Sequence, residues 1–299
     1  PPFPPPFPPL PPSPPSPPPS PPSSPSTGGI QGDPHLRFAH GGMADFRGKN
    51  DTFFALLSAP GVQFAAKTMD SDFLLPRPQL VHGSFFTDAA WMVLGLNGDV
   101  FAIQSSAEAV GFKVSDGRAG KLIVSRSRIW QTWASQGVFA LMKQSTLMVR
   151  ANGWEVNATR RPIYNYVSGP KHWRYDLAMR KLDGTVFAQK HGNSSKFCWP
   201  HGILGQSWDG DGLAVNGRKD DYKYDASKPV ITTVAMAEGA IEGYAAEYAL
   251  KSYNDTRFRY SRFHRRWTDP CAPRDVRALR GLKQASDSTE VASSVDDDE

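Results

Sequence analysis

The sequence has 299 residues, of which 39% are hydrophobic and 21% are charged, and its formal net charge is +5. This length suits one large domain or two small ones, and all-β domains often reach the larger size. No apolar run approaches the roughly 18 residues that a membrane-spanning helix needs, so the sequence predicts no membrane span. The basic balance favours an anionic partner such as an acidic polysaccharide, but it does not bear on the fold.

Both ends of the chain differ in composition from its middle. Residues 1–25 contain 17 of the 27 prolines, and such a tract adopts an extended polyproline II conformation without a packed core. We therefore predict a disordered proline-rich stalk at residues 1–29 and one folded domain at residues 30–272. The Ser-Pro-Pro repeats of the stalk resemble the hydroxyproline-rich glycoproteins of plant and green-algal walls. Residues 285–299 contain six acidic residues and no basic one, so residues 273–299 are predicted to form a short helix or a disordered acidic tail.

The middle of the chain has the turn chemistry of antiparallel β structure. Asn97-Gly98, Asn152-Gly153 and Asp183-Gly184 each separate two apolar segments, and such dipeptides supply the positive φ angles that tight hairpins require. The pattern predicts an all-β, antiparallel, β-sandwich-like single domain. Residues 240–250, rich in Ala and Glu, are the one internal segment that indicates a helix. Further strands are predicted at residues 52–58, 62–67, 112–115, 122–133, 138–143 and 231–237.

Cysteine and asparagine usage favours secretion. Cys198 and Cys271 are the only cysteines, so the only possible intramolecular disulfide would join them. Closing so long a loop would stabilise the fold by roughly 4 kcal/mol in the chain-entropy model. The alternative is a pair of buried free thiols in a cytosolic protein. Half of the eight asparagines lie in Asn-x-Ser/Thr sequences, which are the acceptors of N-glycans in secreted proteins. These acceptors are Asn50, Asn157, Asn193 and Asn254.

Two separated motifs resemble the von Willebrand factor type D domain. The first motif, residues 32–48, begins with Gly-Asp-Pro-His. The second motif, residues 201–222, resembles the family's Gly-Leu-x-Gly-Asn segment with its acidic, glycine-rich continuation that ends in Asp-Asp-aromatic. The resemblance covers residues 32–222, lacks the family's many cysteines, and implies an extracellular β module. Matching positions of the first motif are Gly32, Asp33, Pro34, His35, Gly41, Phe46 and Gly48, while His40 replaces an aspartate of the family.

The second motif is a candidate calcium site. Calcium takes six to eight oxygen ligands, and carboxylates on a glycine-rich loop supply them. Type D domains commonly bind calcium here, so the resemblance implies the same cofactor. Gln206 replaces an asparagine of the family, and the alternative interpretation is a solvated acidic turn. The candidate ligands are Asp209, Asp211, Asn216, Asp220 and Asp221.

A third segment, residues 257–267, alternates cations with aromatic residues. Such a pattern can stack on sugar rings while it neutralises carboxylate or sulfate groups. The alternative is an amphipathic strand whose arginines point into water. The candidate polysaccharide-binding residues are Arg257, Arg259, Tyr260, Arg262, Arg265 and Arg266.

The Asp33–Pro34 bond is a candidate for self-cleavage. The Asp33 carboxyl can attack its own backbone carbonyl, and the proline nitrogen leaves more readily once it is protonated. Relatives with Gly-Asp-Pro-His can cleave at this bond, and His35 could supply the proton near its unperturbed pKa of about 6.5. The alternative is that Asp33 accepts a backbone hydrogen bond in a turn and the bond stays intact.

No hydrolase motif stands out in the sequence. There is no Gly-x-Ser-x-Gly elbow and no His-x-x-x-His or His-Glu-x-x-His pair. We therefore expect a structural or adhesive glycoprotein of an extracellular matrix or cell wall that is not an enzyme. Its expected partners are wall glycoproteins and polysaccharides rather than nucleic acid. The first alternative is a secreted carbohydrate-binding module for acidic polysaccharide, and a weaker alternative is a secreted hydrolase.

Overall fold

The computed structural model describes residues 27–76, 79–164, 172–182, 200–209 and 213–256. This part of the chain is almost entirely β structure, with two short 3-10 turns at Gly205–Ser207 and Ala245–Tyr248. The strands are β1 Thr27–Gln31, β2 His35–Arg37, β3 Met43–Asp45, β4 Thr52–Ala59, β5 Val62–Leu75, β6 Gln79–Leu94, β7 Val100–Ser106, β8 Phe112–Asp116, β9 Leu122–Arg126, β10 Gln131–Ser135, β11 Val138–Lys143, β12 Thr146–Ala151, β13 Trp154–Pro162, β14 Trp173–Lys181, β15 Val230–Thr232 and β16 Ala249–Leu250.

The strands form two sheets. The first sheet has the order β10-β11-β12-β13-β14-β1-β2-β3, and the second has the order β16-β4-β5-β6-β7-β8-β9. All pairs are antiparallel except that β15 lies parallel to β6. Side chains from both sheets, such as Trp91 of β6 and Leu177 of β14, share one buried core. The rings of Phe101 and Trp133 also meet across the sheets, with centroids 5.1 Å apart. The predicted all-β, antiparallel, sandwich-like class is confirmed.

Two of the three predicted hairpins lie in the described residues and are confirmed. Asn97-Gly98 joins β6 to β7, and Asn152-Gly153 joins β12 to β13. Asn152 and Gly153 have φ angles of 48° and 77°, which matches the turn chemistry of a two-residue hairpin. Nδ2 of Asn152 also donates 2.7 Å to the carbonyl oxygen of Gly61, so this hairpin tip contacts the other sheet. The hairpin at residues 183–184 lies outside the described residues.

The predicted strand at residues 122–133 is wrong in one respect, because the structure divides it. β9 ends the second sheet and β10 ends the first sheet, with Ser127 to Trp130 between them. Trp130 has a φ of 61°, which an extended strand cannot accommodate. The chain therefore changes sheets at this point. The predicted strand at residues 231–237 is shorter in the structure, where β15 has only three residues.

The helix predicted at residues 240–250 is wrong. This segment holds the 3-10 turn at Ala245–Tyr248 and then β16. Gly239 and Gly243 have φ angles of 83° and 71°, and the buried Tyr248 hydroxyl donates 2.7 Å to the carbonyl oxygen of Glu242. These tertiary constraints override the helix propensity of Ala and Glu. Among the described residues no helix is long and apolar enough to span a membrane.

The first described strand has residues on both sides of the predicted domain boundary at residue 30. Thr27, Gly28 and Gly29 belong to β1, which pairs with β14. A Cβ atom on Gly29 would lie 2.7 Å from the carbonyl oxygen of Leu177. A glycine is therefore required here by the close approach of the two strands.

Candidate functional site

The two motifs that lie far apart in the sequence pack side by side in the structure. The acidic segment after residue 215 runs along β3 and forms hydrogen bonds with it. The Met43 amide donates 2.9 Å to Oδ1 of Asn216, and the Gly217 amide donates 2.9 Å to the carbonyl oxygen of Met43. One step further, the Asp45 amide donates 2.9 Å to the carbonyl oxygen of Arg218. The second motif thus supplies hydrogen-bond partners to the backbone of β3, the edge strand that belongs to the first motif.

A tight turn in the first motif permits this approach. A Cβ atom on Gly42 would overlap the carbonyl oxygen of Val215, so only glycine fits at this contact. The Gly42 amide donates 3.1 Å to Nδ1 of His40, and the His40 side chain is buried. His40 therefore supports the backbone of the turn.

Asp45 links the two motifs through both of its carboxylate oxygens. Nδ1 of His35 donates 2.6 Å to Oδ1 of Asp45, and the amide of Asp220 donates 2.8 Å to Oδ2. Asp220 in turn accepts hydrogen bonds at Oδ1 from the amides of Val234 and Ala235, at 2.8 and 3.1 Å. Together with Asp33, these aspartates form the carboxylate junction, defined as Asp33, Asp45 and Asp220.

Asp33 is a buried member of the carboxylate junction, and both of its carboxylate oxygens accept hydrogen bonds. It is 8% exposed, its Oδ1 accepts from the Ser84 amide at 3.2 Å, and its Oδ2 accepts from the Tyr222 hydroxyl at 2.7 Å. Burial raises the pKa of Asp33, and the hydrogen bonds from Tyr222 and Ser84 only partly offset that rise. Burial and the nearby Asp33 also raise the pKa of Tyr222. The Tyr222 hydroxyl therefore stays protonated and remains a donor at neutral pH.

A shallow cleft of about 260 Å³ opens beside Asp33. Its cation is Arg174, whose Nε donates 3.2 Å to Oδ1 of Asp176 and whose guanidinium carbon lies 5.4 Å from the centroid of the Phe85 ring. The guanidinium is thus already held by a carboxylate and an aromatic ring. The lining combines aromatic and aliphatic side chains with one acid and two bases. These residues are Asp33, His35, Phe73, Leu74, Leu75, Phe85, Tyr164, Arg174 and Tyr222.

Three of the four candidate calcium ligands within the described residues accept backbone amides. Asn216 and Asp220 accept backbone amides as given above, and Oδ1 of Asp221 accepts the Lys223 amide at 3.0 Å. Asp209 is half-buried and Asp211 lies outside the described residues. No group of three or more His, Cys, Asp or Glu side chains converges as a metal site among the residues that the structure describes. The described ligand set therefore does not fit a calcium ion.

The glycosylation acceptors differ in their surroundings. Asn50 and Asn254 are both exposed and lie in turns. Asn50 precedes β4, and Asn254 follows β16. Asn157 lies within β13, is half-buried, and donates 3.3 Å from Nδ2 to Oε1 of Glu155. Because Nδ2 is the atom that carries an N-glycan, Asn157 is the poorest of these three acceptors. Asn193 lies outside the described residues.

Several predicted site residues cannot be placed. Cys198 and Cys271 lie outside the described residues, so their disulfide stays a prediction. The same holds for the whole basic-aromatic segment at residues 257–267. Its members are Arg257, Arg259, Tyr260, Arg262, Arg265 and Arg266.

Sequence reasoning missed most of the partners in the carboxylate junction. Asp45 and Ser84 carry no motif of their own, and Tyr222 was recognised only as the end of the acidic motif. Asp45 lies in the first motif on β3, next to strand β2, which begins with His35. In the sequence, the one indication of this contact was that facing side chains on neighbouring strands can pair. The contact between Asp33 and Ser84 depends on the close tertiary approach of Asp33 to β6. The approach is so close that a Cβ atom on Gly83 would lie 2.6 Å from Oδ1 of Asp33.

A comparison of the chain with models of known protein families found no match, and a comparison with curated proteins also found none.

Proposed function

We propose that the chain is a structural or adhesive glycoprotein module of an extracellular matrix or cell wall. The observation that supports this proposal most strongly is the carboxylate junction. Its three aspartates join β2, β3, β6 and the segments around residues 220 and 234, and each accepts at least one backbone amide. The three aspartates of the carboxylate junction thus hold separate strands and loops together.

A carboxylate that accepts backbone amides contributes to the stability of the fold. Hydrogen bonds to charged groups contribute about 1.5 to 3 kcal/mol each, and a buried amide without a partner is costly. A general acid or base instead needs its oxygen within reach of a bound substrate. The bonding of Asp33, Asp45 and Asp220 therefore favours a structural or adhesive module over a hydrolase.

Two further observations support an extracellular location. The acceptors Asn50 and Asn254 are exposed in turns, where a bulky glycan is tolerated. The proline-rich tract at residues 1–25 has the composition of a semi-rigid spacer. A type D-like module on such a stalk would be displayed at a distance from its point of attachment, among wall glycoproteins and polysaccharides.

The proposal is tested on the native protein. Intact mass spectrometry is expected to show mass beyond that of the sequence, from hydroxyproline and N-glycans, and an antibody against the folded domain should label the wall or matrix. An unmodified mass together with labelling of the cytosol would overturn the proposal.

A further inference from the structure

The edge strands β9 and β10 bring the ends of both sheets to one side of the molecule. They are the terminal strands of the second and the first sheet, respectively. Only four residues, Ser127 to Trp130, connect them, so their facing ends lie within roughly 17 Å of each other. In the described part of the chain, each strand pairs on one side only. Among the described strands, two sheet edges are therefore unpaired at one corner of the sandwich.

This corner exposes apolar side chains that the core does not use. Leu122, Ile123, Ile129 and Trp130 are each about half exposed, with Trp130 at 56%. Trp130 also has a φ of 61°, which is costly for a bulky residue and persists only where the surroundings enforce it. Residues with strained backbone conformations cluster at active sites, ligand clamps and switch regions. The strain at Trp130 holds a large aromatic ring at the surface.

The same corner is strongly basic. Between residues 113 and 143 the chain has six basic residues and a single acidic one, Asp116. Asp116 is occupied by the amides of Arg118 and Ala119, at 2.7 and 2.8 Å. We define the basic corner as Lys113, Lys121, Arg126, Arg128, Trp130 and Lys143.

Within the described residues, no carboxylate neutralises the cations of the basic corner. Lys113, Lys121, Arg126, Arg128 and Lys143 make no ion pair with any carboxylate in the described ranges. Four of them are exposed and Arg126 is half-exposed. Nζ of Lys143 lies 5.1 Å from the centroid of the Trp130 ring, which places a cation beside the aromatic surface.

We propose that the basic corner binds an acidic polysaccharide, one whose sugar rings carry carboxylate or sulfate groups. The ring of Trp130 would pack against the apolar face of a sugar, and the cations would pair with the acidic groups along the polymer. The arginines are suited to planar bidentate contacts with carboxylate or sulfate. This proposal rests on the proposed function in one respect only, namely that the polymer is found outside the cell. The basic corner is a different surface from the carboxylate junction.

Charge decides between this ligand and a second copy of the chain. A symmetric dimer through β9 or β10 would place the same basic residues opposite each other, which is unfavourable. Nucleic acid would satisfy the charge, but single strands are usually held by several aromatic residues that stack successive bases. The basic corner offers one tryptophan among aliphatic side chains, which fits a sugar better.

The test uses the purified full-length chain and calorimetric titration with two acidic probes. Polygalacturonate carries carboxylates and dextran sulfate carries sulfates, and the two probes distinguish the sources of negative charge. Methyl-esterified polygalacturonate and dextran are the neutral counterparts. We expect saturable binding to at least one acidic probe, weakened at least about tenfold by high salt, and no binding to the neutral polymers.

Variants then locate the site. Arg126→Gln combined with Arg128→Gln should weaken binding at least about tenfold, since each lost charge contact costs on the order of 1 kcal/mol. The matched control, Lys219→Gln combined with Lys223→Gln, removes the same charge from exposed positions elsewhere and should leave affinity within about twofold. Trp130→Gly suits the positive φ and should keep the fold while lowering affinity about fivefold.

Four binding results would overturn the proposal. They are an absence of saturable binding to both acidic probes, equal binding to the neutral polymers, equal losses in the two double variants, and tighter binding to single-stranded DNA than to either acidic probe. Self-association that the Arg126 and Arg128 changes abolish would assign the corner to a second copy instead. None of these outcomes bears on the intact-mass test of the proposed extracellular role, so the two failures can be told apart.

Discussion

The hydroxyl of Tyr222 donates a 2.7 Å hydrogen bond to Oδ2 of Asp33, across a sequence separation of 189 residues. The acceptor is buried, and burial raises its pKa. This hydrogen bond is therefore one of the few polar interactions that support the Asp33 carboxylate inside the fold. It also connects the first and the second motif directly.

Removing the Tyr222 hydroxyl should destabilise the domain. Tyr222→Phe deletes a hydrogen bond to a charged acceptor, which contributes about 2 kcal/mol, and should lower the urea midpoint accordingly. The control is Tyr224→Phe, because Tyr224 is 54% exposed. Removal of its hydroxyl should change the free energy of unfolding by less than about 0.5 kcal/mol. Equal midpoints for the two variants would show that the hydrogen bond is not structural.

We expect the Asp33–Pro34 bond to stay intact in the folded protein. Attack by the carboxylate on its own backbone carbonyl requires a free oxygen, while Oδ1 and Oδ2 of Asp33 are held by Ser84 and Tyr222. His35 is held by Asp45 through Nδ1. The folded protein is incubated at about pH 5.5, where an unperturbed histidine is largely protonated, and new N termini are sequenced. A fragment that begins at Pro34, and that His35→Ala abolishes, would instead establish assisted self-cleavage.

N-glycans are expected at Asn50 and Asn254 but not at Asn157. The first two are exposed, while Nδ2 of Asn157 donates to Glu155 within β13. Glycopeptide mapping of protein from a eukaryotic secretory host measures the occupancy of each acceptor. Asn50→Gln and Asn254→Gln should each remove one glycan, and Asn157→Gln should remove none. Full occupancy of Asn157 would contradict this assignment.

Glu155 makes a pH-dependent contribution to stability. It is 3% exposed and accepts hydrogen bonds from Arg180 at 2.8 and 3.0 Å and from Arg150 at 2.6 Å. Burial alone would raise the pKa of Glu155, but the hydrogen bonds from Arg180, Arg150 and Asn157 outweigh burial and lower it. A lowered pKa means that this stabilisation is present above the ordinary value of 4.5 and is lost as pH falls through the folded-state pKa.

The corresponding variant is Glu155→Gln. It should lose about 1 to 2 kcal/mol of unfolding free energy at pH 7, a modest value because both arginines are half-exposed. The difference from the unsubstituted protein should shrink as the pH falls below about 4. Denaturant titrations at several pH values measure it, with the exposed Glu247→Gln as the control. A difference that is independent of pH would contradict the ion-pair explanation.

Calcium should leave the melting temperature unchanged. The described candidate ligands do not converge, and Asn216, Asp220 and Asp221 accept backbone amides. Melting curves are compared in millimolar calcium and in chelator. If calcium bound at micromolar concentration, mass action would add roughly 4 kcal/mol of stability. A rise in melting temperature that Asp209→Ala or Asp220→Ala abolishes would restore the acidic segment as a metal site.

The sequence by itself determined the fold class and several of its turns. Asn97-Gly98 and Asn152-Gly153 form the predicted hairpins, because positive φ angles and the two-residue alternation of a strand are local properties of the chain. Local rules failed at residues 240–250, where Ala and Glu favour a helix. There, two glycines with positive φ and the buried Tyr248 enforce a short turn and strand instead.

Only the tertiary structure decided how the motifs combine. The pairing of Asp33 with Tyr222, the position of Asp45 between His35 and the Asp220 amide, and the division of residues 122–133 between two sheets all depend on contacts between distant segments. No short window of sequence encodes such contacts, because a side chain selects its partner only after the sheets have packed. The burial that raises the pKa of Asp33 arises in the same way, since the surrounding strands remove water from a carboxyl group that is solvated in the unfolded chain.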